Sequence, residues 1–96
     1  MNSHPRKREG LTEQRIGDEL YLFAPNGEKL IVLNATSMLI WSLCDGDHGL
    51  TEMTTALHDI FREVSSRELS EDIEQCLAQF QRERLLADET TGSPQR

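Results

Sequence analysis

The segment from Leu33 to Gly46 constrains the fold most, because strand and turn patterns precede it and helical patterns follow it. It reads LNATSMLIWSLCDG. Asn34 and Thr36 can accept hydrogen bonds from the free N–H groups of a helix start, and Gly46 can take the left-handed conformation that ends a helix. The apolar run between them is too dense for a solvent-exposed helix. We therefore predict a hinge between the two halves of a small α+β domain, with Trp41 anchoring the core.

The residues before this segment predict an antiparallel meander of three strands. The strands are expected over Thr12–Ile16, Glu19–Ala24 and Lys29–Leu33, with a Gly17-Asp18 turn after the first. Asn26-Gly27 supplies the two positive φ angles of a tight hairpin, so a two-residue loop is predicted between the second and third strands.

This loop predicts a register and two faces for the hairpin. The expected pairs are Leu20 with Leu33, Tyr21 with Val32, Leu22 with Ile31, and Phe23 with Leu30. One apolar face then holds Leu20, Leu22, Ile31 and Leu33, and the other holds Tyr21, Phe23, Leu30 and Val32. The rest of the chain can hardly cover both faces, so one is expected to be partly exposed or to contact a partner. In this register the N–H groups of Lys29, Ile31 and Leu33 point away from the second strand.

Three helices are predicted after the meander, with the first inside the Leu33–Gly46 segment. Thr51 is expected to cap the second helix, which should end near residue 62 or 63. Ser65 and Glu68 form a capping-box pattern that opens the third helix. The predicted fold class is therefore α+β, with a winged helix-turn-helix-like order of elements. We expect one domain over residues 11–86 between flexible tails over 1–10 and 87–96.

Charge and cysteine usage exclude several classes of function. The 96-residue chain has a formal net charge of -7, and such a surface repels phosphate backbones. Neither a signal peptide nor a membrane-spanning run is apparent, so a cytoplasmic protein is expected. Cys44 and Cys76 lie in apolar helical patterns typical of buried, reduced thiols, with a disulfide or a metal pair as the alternatives.

No catalytic or cofactor motif is present in the sequence. A metal set of Cys44, His48, His58 and Cys76 matches no common zinc spacing. Phosphate-binding loops of the Walker or dinucleotide type are also missing. We therefore predict a protein that is not an enzyme and that holds no metal or cofactor.

Two functions fit three strands followed by three helices. A winged-helix transcriptional regulator would use the third helix to read DNA, but the outward positions of that helix are mainly acidic. A peptide-binding module would use the third strand as a sheet edge and the third helix as the other wall of a groove. The predicted peptide-binding residues are Glu28, Lys29, Leu30, Ile31, Val32 and Leu33 on the strand, and Asp72, Gln75, Cys76, Gln79 and Phe80 on the helix. For Cys76 and Phe80 plain core packing remains the alternative, and for Asp72 a solvated charge near the helix start.

The sequence resembles the PqqD family over roughly residues 20–86. The resemblance rests on Leu33-Asn34-x-Thr36, Ile40-Trp41-x-Leu43-Cys44-Asp45-Gly46, Leu57-x3-Phe61, Asp72 and Leu85-Leu86. It implies a winged-helix-like recognition element that binds the leader of a ribosomally made precursor peptide as an added strand. The partner would be a modifying enzyme, such as a radical SAM protein or a leader protease, and a homodimer is left open. Family members commonly have Gly before the final Leu-Leu, where this chain has Arg84.

Overall fold

The computed structural model describes residues 4–87, which form three antiparallel strands followed by three helices. The elements are β1 (Thr12–Ile16), β2 (Glu19–Phe23), β3 (Lys29–Leu33), α1 (Ala35–Ser42), α2 (Leu50–Ile60) and α3 (Ser66–Arg82). The sheet has the order β1-β2-β3, so β3 lies at one edge. The predicted fold class is confirmed. Within residues 4–87, no helix has the length and apolar content needed to cross a membrane.

The hairpin between β2 and β3 has a three-residue loop, and the predicted two-residue loop is wrong. The Ala24 N–H donates to the Glu28 carbonyl at 2.8 Å, and the Gly27 N–H donates to the Ala24 carbonyl at 2.8 Å. Gly27 has a φ of 90°, which a residue with a side chain rarely adopts. The Asn26 side chain accepts from the Glu28 N–H at 3.0 Å, so both predicted turn residues belong to the loop.

A bulge in β3 offsets the one-residue register shift that the longer loop introduces. Three predicted pairs are present, namely Leu20 with Leu33, Tyr21 with Val32, and Leu22 with Ile31. Phe23, however, pairs with Lys29 and not with Leu30. The extra residue interrupts the alternation of side chains, so Leu30 and Ile31 both pack against the core. The prediction that Leu30 lies on the opposite face is therefore wrong.

The core lies between one face of the sheet and the three helices. Leu22, Ile40 and Ile73 are fully buried there. Trp41 is 1% exposed and makes an edge-to-face contact with Phe80, with ring centroids 5.4 Å apart and an interplanar angle of 83°. This confirms Trp41 as a core anchor, and such an aromatic pair contributes about 0.5–1.5 kcal/mol beyond its buried area.

Side-chain caps fix the starts of the first and third helices. The Asn34 side chain accepts from the Ser37 N–H at 2.9 Å, as predicted. The Ser65 hydroxyl accepts from the Glu68 N–H at 3.1 Å, so the third helix also starts as predicted.

The second helix differs from its prediction at both ends. Gly49 occupies the N-cap position in place of Thr51, and its N–H donates to the Glu52 side chain at 2.8 Å. The helix ends at Ile60, before the predicted residue 62 or 63. A glutamate three residues after the cap can satisfy the cap N–H even when the cap has no side chain.

Arg84 closes the third helix in a left-handed conformation, with a φ of 60°. The Leu85 N–H donates to the Phe80 carbonyl at 2.8 Å, and the Arg84 N–H donates to the Gln81 carbonyl at 3.0 Å. These two bonds form the Schellman motif, in which glycine is preferred at the left-handed position. The helix therefore ends as it would with glycine at this position. The backbone of Arg84 is strained, however, because a residue with a Cβ rarely adopts the left-handed conformation.

Residues 5–8, which we call the N-terminal segment, bridge the two ends of the helical region. The Lys7 N–H donates to the Cys44 carbonyl at 3.1 Å, and the Arg8 N–H donates to the Leu85 carbonyl at 2.9 Å. The Ala87 N–H returns a bond to the Arg6 carbonyl at 2.8 Å. Hydrogen-bonded structure thus begins within the predicted N-terminal tail. Apart from Ala87, the predicted tail over 87–96 lies outside the described residues.

A side-chain cluster attaches the N-terminal segment to the core. The Trp41 indole N–H donates to the Glu13 carboxylate at 2.9 Å. The same carboxylate oxygen lies 3.3 Å from the Lys7 ammonium, which also lies 5.1 Å from the centroid of the Trp41 ring. Glu13 on β1 therefore satisfies the one polar atom of the core tryptophan while it orients Lys7.

Candidate functional site: a groove beside the sheet edge

An open groove separates α3 from the edge strand β3. Helix α3 packs mainly against α2 and also against α1. The groove has a volume of about 520 Å³, and we call it the edge groove. It is lined by Glu19, Ile31, Val32, Leu33, Asn34, Thr36, Ser37, Asp72, Gln75, Cys76 and Gln79.

Most of the predicted peptide-binding residues meet in this groove. They are Ile31, Val32 and Leu33 on the strand, and Asp72, Gln75, Cys76 and Gln79 on the helix. Glu28, Lys29 and Leu30 lie nearer the hairpin loop and do not line the groove. Phe80 was predicted for the helical wall, but its side chain is fully buried against Trp41. That assignment is wrong, because a core side chain cannot contact a peptide.

Four residues of the edge groove were missed by sequence reasoning. Thr36 and Ser37 belong to the first turn of α1, and Asn34 is its N-cap. Glu19 begins β2, and its neighbour Leu20 pairs with Leu33 at the end of β3. The predicted register already contained that last pair, so it could have placed Glu19 beside the groove.

The bulge decides which main-chain groups of β3 point away from the sheet. The Ala24 N–H, directly after β2, donates to the Glu28 carbonyl, directly before β3, and alternate residues of a strand face the same neighbour. Leu22 and Leu20 therefore also bond to β3, through their partners Ile31 and Leu33. Val32, which lies between these partners, directs its N–H and C=O outward.

The outward groups of β3 thus belong to Val32 and to Lys29, which pairs with Phe23. Phe23 points its own main-chain groups toward β1, because it alternates with Leu22. The predicted outward direction of the N–H is therefore correct for Lys29 and wrong for Ile31 and Leu33. The error comes from the bulge at Leu30, which the predicted regular ladder did not contain and which reverses the alternation of main-chain groups after it.

Both cysteines have free thiols held in the protonated form. Burial raises the pKa of Cys44 to about 12. Burial and then the negative charge of Asp72 raise the pKa of Cys76, which is half-buried in the edge groove. A thiol attacks or binds metal as its thiolate, so neither side chain is activated as a nucleophile. In the part of the chain that the structure describes, no group of three or more His, Cys, Asp or Glu side chains could hold a metal ion.

A second groove lies on the other side of α3, and we call it the rear groove. Its volume is about 530 Å³. It is lined by His4, Pro5, Gly49, Leu50, Thr51, Glu52, Glu74, Leu77, Ala78, Gln81 and Leu86. Two of the main-chain groups on its border have internal partners. The Pro5 carbonyl accepts from the Gly46 N–H at 2.9 Å, and Gly49 is capped by Glu52.

Comparison with known proteins identifies both the family and the fold. The family model described as Coenzyme PQQ synthesis protein D (PqqD) matches residues 19–86. No curated protein sequence matches the chain. A solved structure, TbiB1 in complex with the TbiA(beta) leader peptide, is similar in fold, with a TM-score of 0.72 and 23% identity. The match covers 86% of this chain and 99% of that one. Because the family model spans well over half of the sequence, the chain belongs to the PqqD family.

Proposed function

We propose that the chain is a recognition element that binds the leader segment of a ribosomally made precursor peptide by strand addition to β3. The observation that carries this proposal is the outward-facing main chain of Val32, placed on the wall of the edge groove. An extended peptide can bond to such an edge while its alternate side chains enter a neighbouring groove. The family supports the proposal, as does a structural neighbour that was solved with a leader peptide.

The backbone and the side chains of the edge groove would have different roles in binding. Val32 and Lys29 offer main-chain groups to any sequence, and each hydrogen bond contributes about 1 kcal/mol net. Ile31 and Leu33 form an apolar floor, and Gln75 on α3 provides a polar wall. Affinity would therefore come from the strand edge, and specificity from the side chains that enter the groove.

The proposed role is not enzymatic and uses no metal or cofactor. The chain would hold the leader while a separate modifying enzyme, such as a radical SAM protein or a leader protease, acts on the rest of the precursor. All the groups proposed to contact the leader come from one chain, so binding requires no homodimer.

The transcriptional regulator alternative has no support from the site. A DNA-reading α3 would present basic side chains to the duplex. The exposed positions of α3 include Glu68, Glu71, Asp72 and Glu74. These carboxylates repel phosphate groups, and they lie on the helix that would have to enter the major groove.

A proline substitution at Val32 tests strand addition. The probe is the synthetic leader of a short precursor gene that neighbours the gene for this chain, titrated by calorimetry. Val32→Pro removes an outward N–H and is expected to weaken binding by about thirtyfold or more, because proline cannot take part in the added ladder. Val32→Ala keeps the N–H and should change affinity by less than about threefold.

Lys29 provides an independent pair of variants at the other outward position. Lys29→Pro should weaken binding, and Lys29→Ala should be nearly neutral. Circular dichroism checks that each variant keeps the wild-type fold. Binding by the folded proline variants that equals binding by the alanine variants would show that the leader does not pair with this edge.

A further inference from the structure

We propose that the edge groove selects leader segments in which a lysine or arginine accompanies an apolar residue. This inference rests on the proposed strand addition and adds the chemical class of the peptide. It also implies that a segment with aspartate or glutamate at the inward-facing positions is rejected.

The charges that line the edge groove all have one sign. Glu19 lines the groove from β2 and Asp72 from α3, and no Lys, Arg or His belongs to the lining. The ion pairs of Lys7, His48 and Arg67 use other carboxylates, those of Glu13, Asp45 and Glu71. Both groove carboxylates are exposed and unpaired in the chain without peptide, so a cationic side chain of the leader would be their first ionic partner.

The floor of the groove sets the other half of the preference. Ile31 is half-buried and Leu33 is buried, and both line the groove. Alternate residues of an added strand point to the same side. Two inward-facing residues of the leader, one residue apart, can therefore place an apolar side chain over this floor and a basic side chain near a carboxylate.

Negative charge around the edge groove also favours basic peptides, as the two carboxylates do. The whole chain has a net charge of -7, and Glu68 and Glu71 are exposed on the helix that carries Asp72. A field of one sign raises the local concentration of oppositely charged ligands and speeds their association. Basic leaders should thus associate faster, by a factor that falls with added salt.

Selection from a random peptide library tests the inference independently of the natural leader sequence. The full chain is immobilised and panned by mRNA display with random peptides of about 12 residues, enough for one strand of ordinary length. A parallel selection on Val32→Pro identifies the binders that need the β3 edge. Among these binders, we expect enrichment of Lys and Arg and depletion of Asp and Glu at positions next to an apolar residue.

A matched pair of α3 variants assigns the preference to the groove. Asp72→Asn removes a carboxylate from the edge groove, and Glu74→Gln removes one from the rear groove of the same helix. A selected lysine-bearing peptide should bind Asp72→Asn about two- to fivefold more weakly, in the range of exposed ion pairs. Its affinity for Glu74→Gln should stay unchanged. Asp72→Lys should instead favour the same peptide with glutamate in place of lysine.

Different results would overturn the strand addition and the charge preference. Recovery of no binder that depends on the β3 edge would overturn strand addition, and the charge preference with it. Edge-dependent binders without basic enrichment would overturn the charge preference alone. Equal weakening by Asp72→Asn and Glu74→Gln would also overturn it, since that result would reflect net charge and not the groove.

Discussion

The two grooves that flank α3 are almost equal in volume and differ in what borders them. The edge groove, of about 520 Å³, is bordered by β3, whose outer main-chain groups face no further strand among residues 4–87. The rear groove, of about 530 Å³, is bordered by the capped start of α2 and by the N-terminal segment. Size therefore does not distinguish them. The distinction is that an extended peptide can continue a hydrogen-bonded ladder on one side only.

Leader affinity and fold stability should therefore depend on different sides of α3. Changes to the exposed α3 side chains of the edge groove, such as Gln79, should alter leader binding and leave the free energy of unfolding nearly unchanged. The N-terminal segment borders the rear groove through Pro5. Changes to this segment, or to the Glu13 side chain that anchors it, should alter stability and leave binding by the folded protein unchanged. Each of the following predictions can break this division or make it more quantitative.

The largest expected effect comes from filling the grooves one at a time. Gln79 lines the edge groove and Gln81 the rear groove, and both are exposed on α3. Gln79→Trp should weaken leader binding by about tenfold to a hundredfold, since a bulky side chain forced into a packed interface costs about 1–3 kcal/mol. Gln81→Trp should change binding by less than about twofold. Calorimetric titration of both variants measures the difference, and stronger weakening by Gln81→Trp would place the peptide in the wrong groove.

The next effect concerns the anchor of the N-terminal segment. Glu13→Ala removes the acceptor of the Trp41 indole N–H and the ionic partner of Lys7. Because Trp41 is buried, the unsatisfied N–H should lower the free energy of unfolding by about 1–2 kcal/mol. Urea denaturation measures this loss. Gln14→Ala on the same strand is the control for strand propensity, and an equal loss in that variant would argue against a special role for Glu13.

A smaller effect of opposite sign is expected at the end of α3. Arg84→Gly relieves the left-handed backbone strain at φ 60°. Part of this gain is offset by the greater freedom of glycine in the unfolded chain. We expect a net stabilisation of about 0.5–1 kcal/mol by urea denaturation, with leader affinity unchanged. Arg84→Ala keeps the strain and serves as the control, so equal stabilisation by both variants would assign the effect to the arginine side chain.

The smallest expected effect is the pH dependence of the loop after α1. The Asp45 carboxylate accepts a hydrogen bond from the Nδ1 of the His48 ring at 2.9 Å, and this bond raises the pKa of His48 above its ordinary value. The raised pKa means that the pair stabilises the fold fully below about pH 6.5, the ordinary pKa of histidine. This contribution is lost as the pH rises through the higher folded value. The urea midpoint should therefore fall slightly between about pH 6 and pH 8, and His48→Gln should remove that fall relative to wild type. A wild-type midpoint that rises over this interval would contradict the assignment.

Side-chain patterns predicted the elements well, because periodicity and capping residues are local signals. The three strands, the caps Asn34 and Ser65, and the burial of Trp41 all follow from nearby residues. The hairpin loop could not be decided in the same way. Asn26-Gly27 suits both a two-residue loop and the last two positions of a three-residue loop. Residues 30–33 are all apolar, so the side-chain pattern does not indicate the bulge at Leu30, which reverses the direction of the main-chain groups from Ile31 onward.

A residue of the candidate site could be predicted only where the sequence shows whether its side chain faces the groove or the core. An apolar stripe on α3 contains both Cys76 and Phe80, and the pattern does not tell which one faces the groove and which one the core. Packing against Trp41 decides this for Phe80. The N-terminal segment was missed for another reason. It is held mainly through backbone hydrogen bonds, and the pattern of its polar side chains does not indicate such bonds.

The outward direction of the Val32 N–H is the central claim, and one backbone substitution tests it most directly. Chemical synthesis with ligation at Cys44 allows residue 32 to be replaced by its α-hydroxy acid analogue, which removes the N–H and keeps the side chain. The same replacement at Ile31 removes an N–H that is directed to β2. Calorimetry with the leader and urea denaturation are then run on both proteins.

The Val32 analogue should bind the leader about fivefold more weakly, the equivalent of one hydrogen bond of about 1 kcal/mol, and should lose less stability than the Ile31 analogue. The Ile31 analogue should lose about 1 kcal/mol of stability and, once folded, bind the leader as wild type does. The reverse pattern, with binding weakened at Ile31 and intact at Val32, would show that the edge of β3 has the other alternation and that the proposed pairing is wrong.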